Sequence, residues 1–404
     1  MKKSFGVREI AALSAAVLMI GGSALASETE QSAAPAAAGQ TEGAAQAGAA
    51  ALSDDLYSFQ IQVGDDVLTA PMTYAEFTAS GWKLSSDSDA EQKLDPNQYT
   101  WLTFTKDGLN LTADIINLGI NQAAVTDGLV GGFTIDASYD FNLDMCAVTL
   151  PGGIEMGKAT RKDIEAAYGT PSDLYDGDLY DQMTYSKDTY SEVELYVYKE
   201  EGVLLKADVQ NFTEPEGFEA GEVSTEVPDE VTAYKAPDAL GDKLLDPEFE
   251  FCGDLYSLPC PLTALLGNGW TLSDAKEDDA LEGGGFQAAD IMKDNQTVHI
   301  YLYNMTSNAT ALKNCFLEEI ELGTYDGDNL TLKLSGGVEL GMSKADIQKL
   351  AEESGFKYEQ SDDKNASVYV TEDSKYDKEL NLGFYDDENP DKITSIDFSN
   401  RNFS

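Results

Sequence analysis

The chain of 404 residues carries 73 Asp and Glu against 26 Lys and Arg, a formal net charge of −47 at pH 7. That balance excludes nucleic acid as a partner, because a polyphosphate needs clustered Lys and Arg to release its counterions, and an anionic surface repels the chain at low ionic strength. With one histidine, the commonest general base is available at a single position.

At the N-terminus, Lys2, Lys3 and Arg8 precede an apolar run from Ile10 to Ile20 and a small-residue site at Ala24-Leu25-Ala26. The pattern predicts a signal peptide over residues 1–26, cleaved after Ala26, and a secreted, extracellular product. The run is short for a bilayer span and no later stretch approaches about 20 apolar residues, so no membrane insertion is expected. No cysteine stands near the cleavage site, so no lipid anchor is expected. Residues 27–53, nearly all Ala, Gly, Gln, Glu and Ser, are too poor in large apolar groups to offset ordering entropy and read as a disordered spacer.

Residues 54–211 read as a first folded domain. A short strand from Phe59 to Val63 leads to a turn at Pro71 and a short helical segment that ends before Trp82. Leu109, Leu111, Ala113 and Ile115 then alternate along a strand, and further strands are predicted over 129–135 and 148–150. Thr160, three residues before Asp163, caps a helix whose Ile164, Ala167 and Tyr168 share one face, with Gly169 and Pro171 as its stop. Three strands follow at about 179–185, 192–198 and 203–209, with Val193, Leu195 and Val197 on one face and Glu194, Tyr196 and Tyr198 on the other, as in an antiparallel sheet covered on one side. Residues 212–247, with Pro215, Pro228, Pro237 and Pro247 among many acids, read as an extended connector whose Val223, Val227, Val231 and Tyr234 can dock.

Residues 248–404 then run through the same order. Pro71 answers Pro259, Trp82 answers Trp270, Lys106-Asp107 with Asn117 answers Lys293-Asp294 with Asn304, and Leu150, Gly152, Gly153, Glu155 and Gly157 answer Leu334, Gly336, Gly337, Glu339 and Gly341. Self-similarity of this length is a domain-size repeat rather than a solenoid period. The expected fold is α+β: a tandem repeat of two homologous domains, each mainly antiparallel sheet with one or two short helices packed on one face. The cysteines Cys252, Cys260 and Cys315 answer Val63, Met72 and Gly128, so the fold does not depend on bridges between them; Cys260 with Cys315 is the pair most suited to a disulfide, and buried free thiols are the other reading.

The helix followed by a three-stranded meander, opened by Gly157-x-x-Thr160-x-x-Asp163-Ile164 and closed by Tyr168-Gly169-Thr170-Pro171, resembles the repeat of the secreted beta-lactamase-inhibitor protein and of the small outer-membrane assembly lipoproteins. It covers the rear part of each copy, and the second copy has Gly355-Phe356-Lys357 in place of the closing motif. As a whole the chain resembles the uncharacterised secreted two-repeat proteins of Gram-positive bacteria. The resemblance implies a fold and an extracellular address, and no active site.

No catalytic residues are assigned. His299 lies opposite Val298, Ile300 and Leu302 on a strand and reads as solvent-facing; no Gly-x-Ser-x-Gly elbow and no phosphate-binding Gly-x-x-x-x-Gly-Lys loop occurs. Glu155 and Glu339 stand between apolar neighbours in matching turns and read as structural. No cofactor is expected, except that acid-rich loops could hold calcium: Asp173, Asp176, Asp178 and Asp181, then Asp326 with Asp328, then Asp386, Asp387, Glu388 and Asp391, none with EF-hand spacing. Tyrosines concentrate on the strands, and Tyr180, Tyr185, Tyr196, Tyr198, Tyr301 and Tyr303 are the expected recognition residues, since tyrosine offers rigid area with a polar tip. The functional expectation is a non-catalytic protein that contacts an extracellular protein or glycan through sheet faces. The alternative is a carbohydrate-binding or carboxylate-dependent glycan-processing protein, with Trp101 as a stacking plane.

Overall fold

The computed structural model describes residues 51–86, 90–327, 329–371 and 377–402. The expected signal peptide, all but the end of the expected spacer, and Asp328 lie outside the described residues. Just before residue 54, the Ser53 N–H donates to Gln60 Oε1 at 2.9 Å, and its carbonyl accepts from Gly152 N–H at 3.1 Å.

The first half opens with the hairpin β1 (Gln60–Val63) and β2 (Asp66–Thr69), followed by β3 (Met72–Thr73) and α1 (Tyr74–Ala79). Helix α1 starts where it does because Thr73 and Glu76 cap each other's free N–H groups. Strands β4 (Lys83–Leu84), β5 (Lys93–Leu94), β6 (Tyr99–Lys106), β7 (Leu109–Ile116), β8 (Ala123–Ala124) and β9 (Leu129–Asp136) follow, then β10 (Val148–Leu150), β11 (Ile154–Glu155) and the Thr160-capped helix α2 (Arg161–Tyr168). Four strands close the half, β12 (Asp173–Asp176), β13 (Tyr180–Asp188), β14 (Ser191–Tyr198) and β15 (Val203–Asn211). Sequence alternation finds only the last three; β12 is exposed at every position and carries no burial pattern to read.

After the connector and its short helix α3 (Asp229–Ala233), the second half contains β16 (Glu248–Phe251), β17 (Asp254–Ser257), β18 (Cys260–Pro261), α4 (Leu262–Gly267), β19 (Thr271–Leu272), β20 (Ala280–Leu281), β21 (Phe286–Lys293) and β22 (Gln296–Tyr303). Then come β23 (Thr310–Ala311), β24 (Phe316–Leu317), β25 (Glu319–Gly323), β26 (Leu332–Leu334), α5 (Lys344–Ser354), β27 (Lys357–Gln360), β28 (Asn365–Tyr369), β29 (Lys378–Gly383) and β30 (Ser395–Asn400).

Every strand pair is antiparallel, and the pairings recur in the same order. β1 pairs β2 and β10 as β16 pairs β17 and β26, β3 pairs β9 as β18 pairs β24, and β5 pairs β8 as β20 pairs β23. In the first half β9 is continuous and carries β15 on one side and β7 on the other, giving a nine-stranded sheet with the path β12-β13-β14-β15-β9-β7-β6-β4 and β3 paired to β9 off that path. In the second half the corresponding strand breaks at Glu318 into β24 and β25, and two five-stranded sheets result.

Polar contacts recur as well. Lys106 pairs with Asp66, and Lys293 with Asp254. Asn211 Nδ2 donates to the Ala70 carbonyl at 2.9 Å, and Asn400 Nδ2 to the Leu258 carbonyl at 3.0 Å; each carbonyl precedes a cis proline, Pro71 and Pro259. Register corrects one sequence pairing. Val63 faces Asp66 across its hairpin and Phe251 faces Asp254 across the other, so Cys252 answers Gly64 rather than Val63.

Asn117 and Asn304 are buried and tie loops to strands. Asn304 Nδ2 donates to the carbonyls of Leu281 (3.1 Å), Glu282 (2.8 Å) and Asn308 (2.8 Å), while its Oδ1 accepts from Thr306. Replacing it with alanine strands these carbonyls, and Asn304→Ala is expected to cost about 2 kcal/mol of unfolding free energy in denaturant titration.

Two hydrophobic cores share no residue. One gathers Phe77, Trp82, Phe104, Phe133, Ile164 and Leu195 under the nine-stranded sheet; the other gathers Phe251, Trp270, Ile291, Ile347 and Phe398. Ile164, Ile347 and Ala351 are buried as their helical spacing predicts, whereas Ala167 is exposed. All described residues belong to one compact unit. Between the halves, Gln122 N–H donates to the Ser307 carbonyl (2.8 Å), Gly283 N–H to the Ile120 carbonyl (2.9 Å) and Ala309 N–H to Asn121 Oδ1 (2.7 Å). Within the connector Tyr234 packs on the second core and Leu244 and Leu245 enter it, while Val223 and Val227 stay exposed. Among the described residues no helix is long and apolar enough to cross a membrane.

Candidate functional site

One face of the nine-stranded sheet rests on its core and the other faces solvent. On β14, Val193, Leu195 and Val197 point into the core and Glu192, Glu194, Tyr196 and Tyr198 point out, as period-two alternation requires. Register extends the outward set across the sheet: Thr184 faces Glu194, Glu194 faces Asp208, Asp208 faces Thr134, Thr134 faces Thr112, and Thr112 faces Thr103. From β12 to β6 this face spans about 30 Å at ordinary strand spacing. Its charged members are Asp173, Glu192, Glu194, Asp208, Asp136 and Asp114 against Lys206, so it is strongly acidic.

The six expected tyrosines do not form one surface. Tyr180, Tyr196 and Tyr198 cluster on the outer face, with Tyr180 5.2 Å from Tyr196 and 5.7 Å from Tyr198. Tyr196 is nonetheless buried: its hydroxyl donates to Glu194 at 2.7 Å and Lys206 Nζ lies 4.5 Å from its ring centre. Tyr185 lies on the opposite face, in the core at 2% exposure, where its hydroxyl donates to the Gly169 carbonyl at 3.1 Å; its place on β13 alternates with Thr184, which corrects its assignment to a recognition surface. Tyr301 and Tyr303 sit on β22 of the other half, beside His299 and Phe286 respectively. His299 is exposed and its Nδ1 lies 2.8 Å from Asp290 Oδ1.

The acids expected to bind calcium meet protein cations. Asp176 pairs with Lys199, and Asp181 with Arg161 (3.2 Å) and Lys199 (3.2 Å), while Asp178 is exposed. All four cysteines are free, which corrects the Cys260 to Cys315 bridge. Cys260 pairs in register with Leu317, two residues beyond Cys315, and such a diagonal offset separates Cα atoms by about 7 to 8 Å, too far for a disulfide. Burial pushes both thiols up to about 12.

The feature that sequence reading missed lies at the β6 to β15 end of the outer face. Trp101 on β6 faces Asp114 on β7 directly, and Asp114 faces Gly132 on β9. A side chain at position 132 would meet Asp114 Oδ2 at 2.5 Å, so the carboxyl leans into the space that the glycine leaves. Asp114 is only 9% exposed, and among the described residues no hydrogen bond reaches its carboxyl. Burial, with the nearby charge of Asp208 added, pushes it up to about 7. Asp208, one row over, is pushed up to about 6 chiefly by burial, with Lys206 and the Thr134 hydroxyl opposing. Trp101 stands open beside this recess at 68% exposure, and Tyr99, packed 4.8 Å from Phe212, forms its rim.

The second half has a buried acid at one matching register position and lacks the recess. Asp397 holds the place of Asp208 and is pushed up to about 7 by burial and then by Glu319 and Glu321. Where Trp101 faces Asp114, however, Ala288 faces Tyr301. The available sequence signal is Gly131-Gly132 inside a strand, which marks close approach of another group; the identity of that group emerges only with the register.

Fold and face together define an α+β protein of antiparallel sheets with few short helices, bearing an open acidic face. Compared with protein-family models, curated proteins and solved structures, the chain matches none.

Proposed function

We propose that the chain is a secreted, non-catalytic binding protein, built by duplication of one α+β unit, whose first copy contacts another extracellular protein through the outer face of its large sheet. The observation that carries this reading is the acidic, aromatic-studded face itself: about 30 Å across, and open to solvent where a deep cleft would be expected for a small substrate. The duplication is supported by the recurrent pairings, the two Lys–Asp pairs and the two Asn-to-carbonyl bonds. Secretion is supported by the composition of residues 1–26. The likeness of the helix-plus-meander unit to the beta-lactamase-inhibitor repeat agrees with a binding role.

The glycan reading draws on Trp101 as a stacking plane. A processing enzyme would set its two carboxyls on either side of a bound sugar, whereas Asp114 and Asp208 lie two strands apart on one sheet face.

The test uses variants at the end of the face away from the recess. Tyr175, 56% exposed on β12, and Glu192 on β14 both point outward. With the mature chain immobilised in its extracellular medium, Tyr175→Ala with Glu192→Lys is expected to lose the captured protein, and Tyr325→Ala in the second half to retain it. Equal capture by both overturns the assignment of the face.

A further inference from the structure

We propose that the recess between Trp101, Asp114, Gly132 and Asp208 is the anchor point of that face and takes the guanidinium group of an arginine-bearing segment of the partner protein. The inference rests on the reading of the outer sheet face as a contact surface, and it names what that surface holds.

Three observations converge on a planar cation. The first is Asp114, 9% exposed as a residue, whose carboxyl occupies the space above Gly132 and takes no hydrogen bond from the described residues. A buried carboxyl without donors lowers stability unless something else supplies them, and a guanidinium offers paired N–H groups in the geometry a carboxylate accepts. The second is Trp101, whose indole is exposed directly across the strand pair from Asp114. An indole face is the best aromatic platform for a cation, and arginine stacks on it more readily than lysine. The third is charge: Asp208 lies one row over on the same face, and Lys206, the basic residue beside it, is directed over the Tyr196 ring. The corresponding place in the second half, with Ala288 facing Tyr301, lacks both the indole and the carboxyl. The two copies therefore differ where the recess lies.

Intrinsic fluorescence reads the site, because Trp82 and Trp270 are buried at 1% exposure each and Trp101 is open. The full chain is titrated near pH 8 with a short peptide alternating arginine and glycine, then with its lysine counterpart. The arginine peptide is expected to change the Trp101 emission and to bind more tightly than the lysine peptide. By calorimetry, Trp101→Ala is expected to weaken binding roughly tenfold, and Asp114→Asn with Asp208→Asn about thirtyfold. Glu388→Gln with Asp391→Asn, which removes the same charge from an exposed loop of the second half, is expected to change little. If the two double variants weaken binding equally, only the overall charge of the chain is at work and the recess is overturned. Binding of neutral oligosaccharides in place of the arginine peptide overturns it too. Should Tyr175→Ala with Glu192→Lys abolish partner capture while the recess variants leave it intact, the recess falls and the face stands; if neither set matters, both fall.

Discussion

The protein is expected to melt at a higher temperature near pH 5 than near pH 8, by on the order of 5 to 10 °C. Asp114 and Asp397 are pushed up to about 7 and Asp208 to about 6, in each case first by burial. The unfolded chain releases these protons near pH 4. Between about pH 4 and pH 7 the folded chain therefore binds more protons than the unfolded one, and stability falls as pH rises through that window. The stabilisation is fully present below the unfolded value and is lost as the folded groups ionise. Allowing for water that reaches Asp208 and Asp397, each is worth on the order of 2 kcal/mol. Carboxylates held low, such as Asp163 by the Thr160 cap and Asp386 by Asn389, act in the opposite sense, but below about pH 4. Self-repulsion of the acidic chain adds to the same trend and is screened by salt. Asp397→Asn is expected to raise the melting temperature near pH 8 and flatten the profile; a wild-type profile rising steadily from pH 5 to pH 8 would refute the placement of these carboxyls.

Trp82→Ala and Trp270→Ala are each expected to destabilise the protein by about 3 to 5 kcal/mol. Both indoles are 1% exposed and each opens the short strand that pairs with the first long hairpin strand of its half. Their aromatic neighbours come from different elements. Trp82 stacks on Phe77 of α1 at 6.1 Å and Trp270 on Phe251 of β16 at 5.1 Å, so the large ring beside the indole comes from the helix in one core and from the strand in the other. Because the two cores share no residue, the costs in the double variant are expected to add within about 0.5 kcal/mol in denaturant titration. A strongly non-additive result would mean that the two indole sites are energetically coupled, against their placement in separate cores.

The sequence reading succeeded where a local rule decides the outcome. Thr160 and Ser343 cap α2 and α5, Gly169 and Gly355 end them, and alternation on β7, β14 and β15 points the apolar side chains inward. It fell short where burial depends on a neighbouring strand. Tyr196 alternates outward as expected and is still covered, because Tyr180 and Lys206 arrive from β13 and β15. Asp114 reads as a solvated strand acid until the register sets it against Gly132, and the edge strands β12 and β27 carry no apolar face to announce them. The recess combines residues from four strands that the sequence spreads from Trp101 to Asp208, and only pairing brings them together.

Buried carboxyls that lower stability near neutral pH are retained at a recess beside an open indole, and this is the trade that the binding account predicts. The most direct test follows the affinity of the whole chain for the arginine peptide from about pH 5 to about pH 8. Affinity is expected to rise with an inflection between about pH 6 and pH 7, where Asp114 and Asp208 ionise, and the inflection is expected to vanish in Asp114→Asn with Asp208→Asn. A flat profile over that interval, or one that persists unchanged in the double variant, would contradict the account.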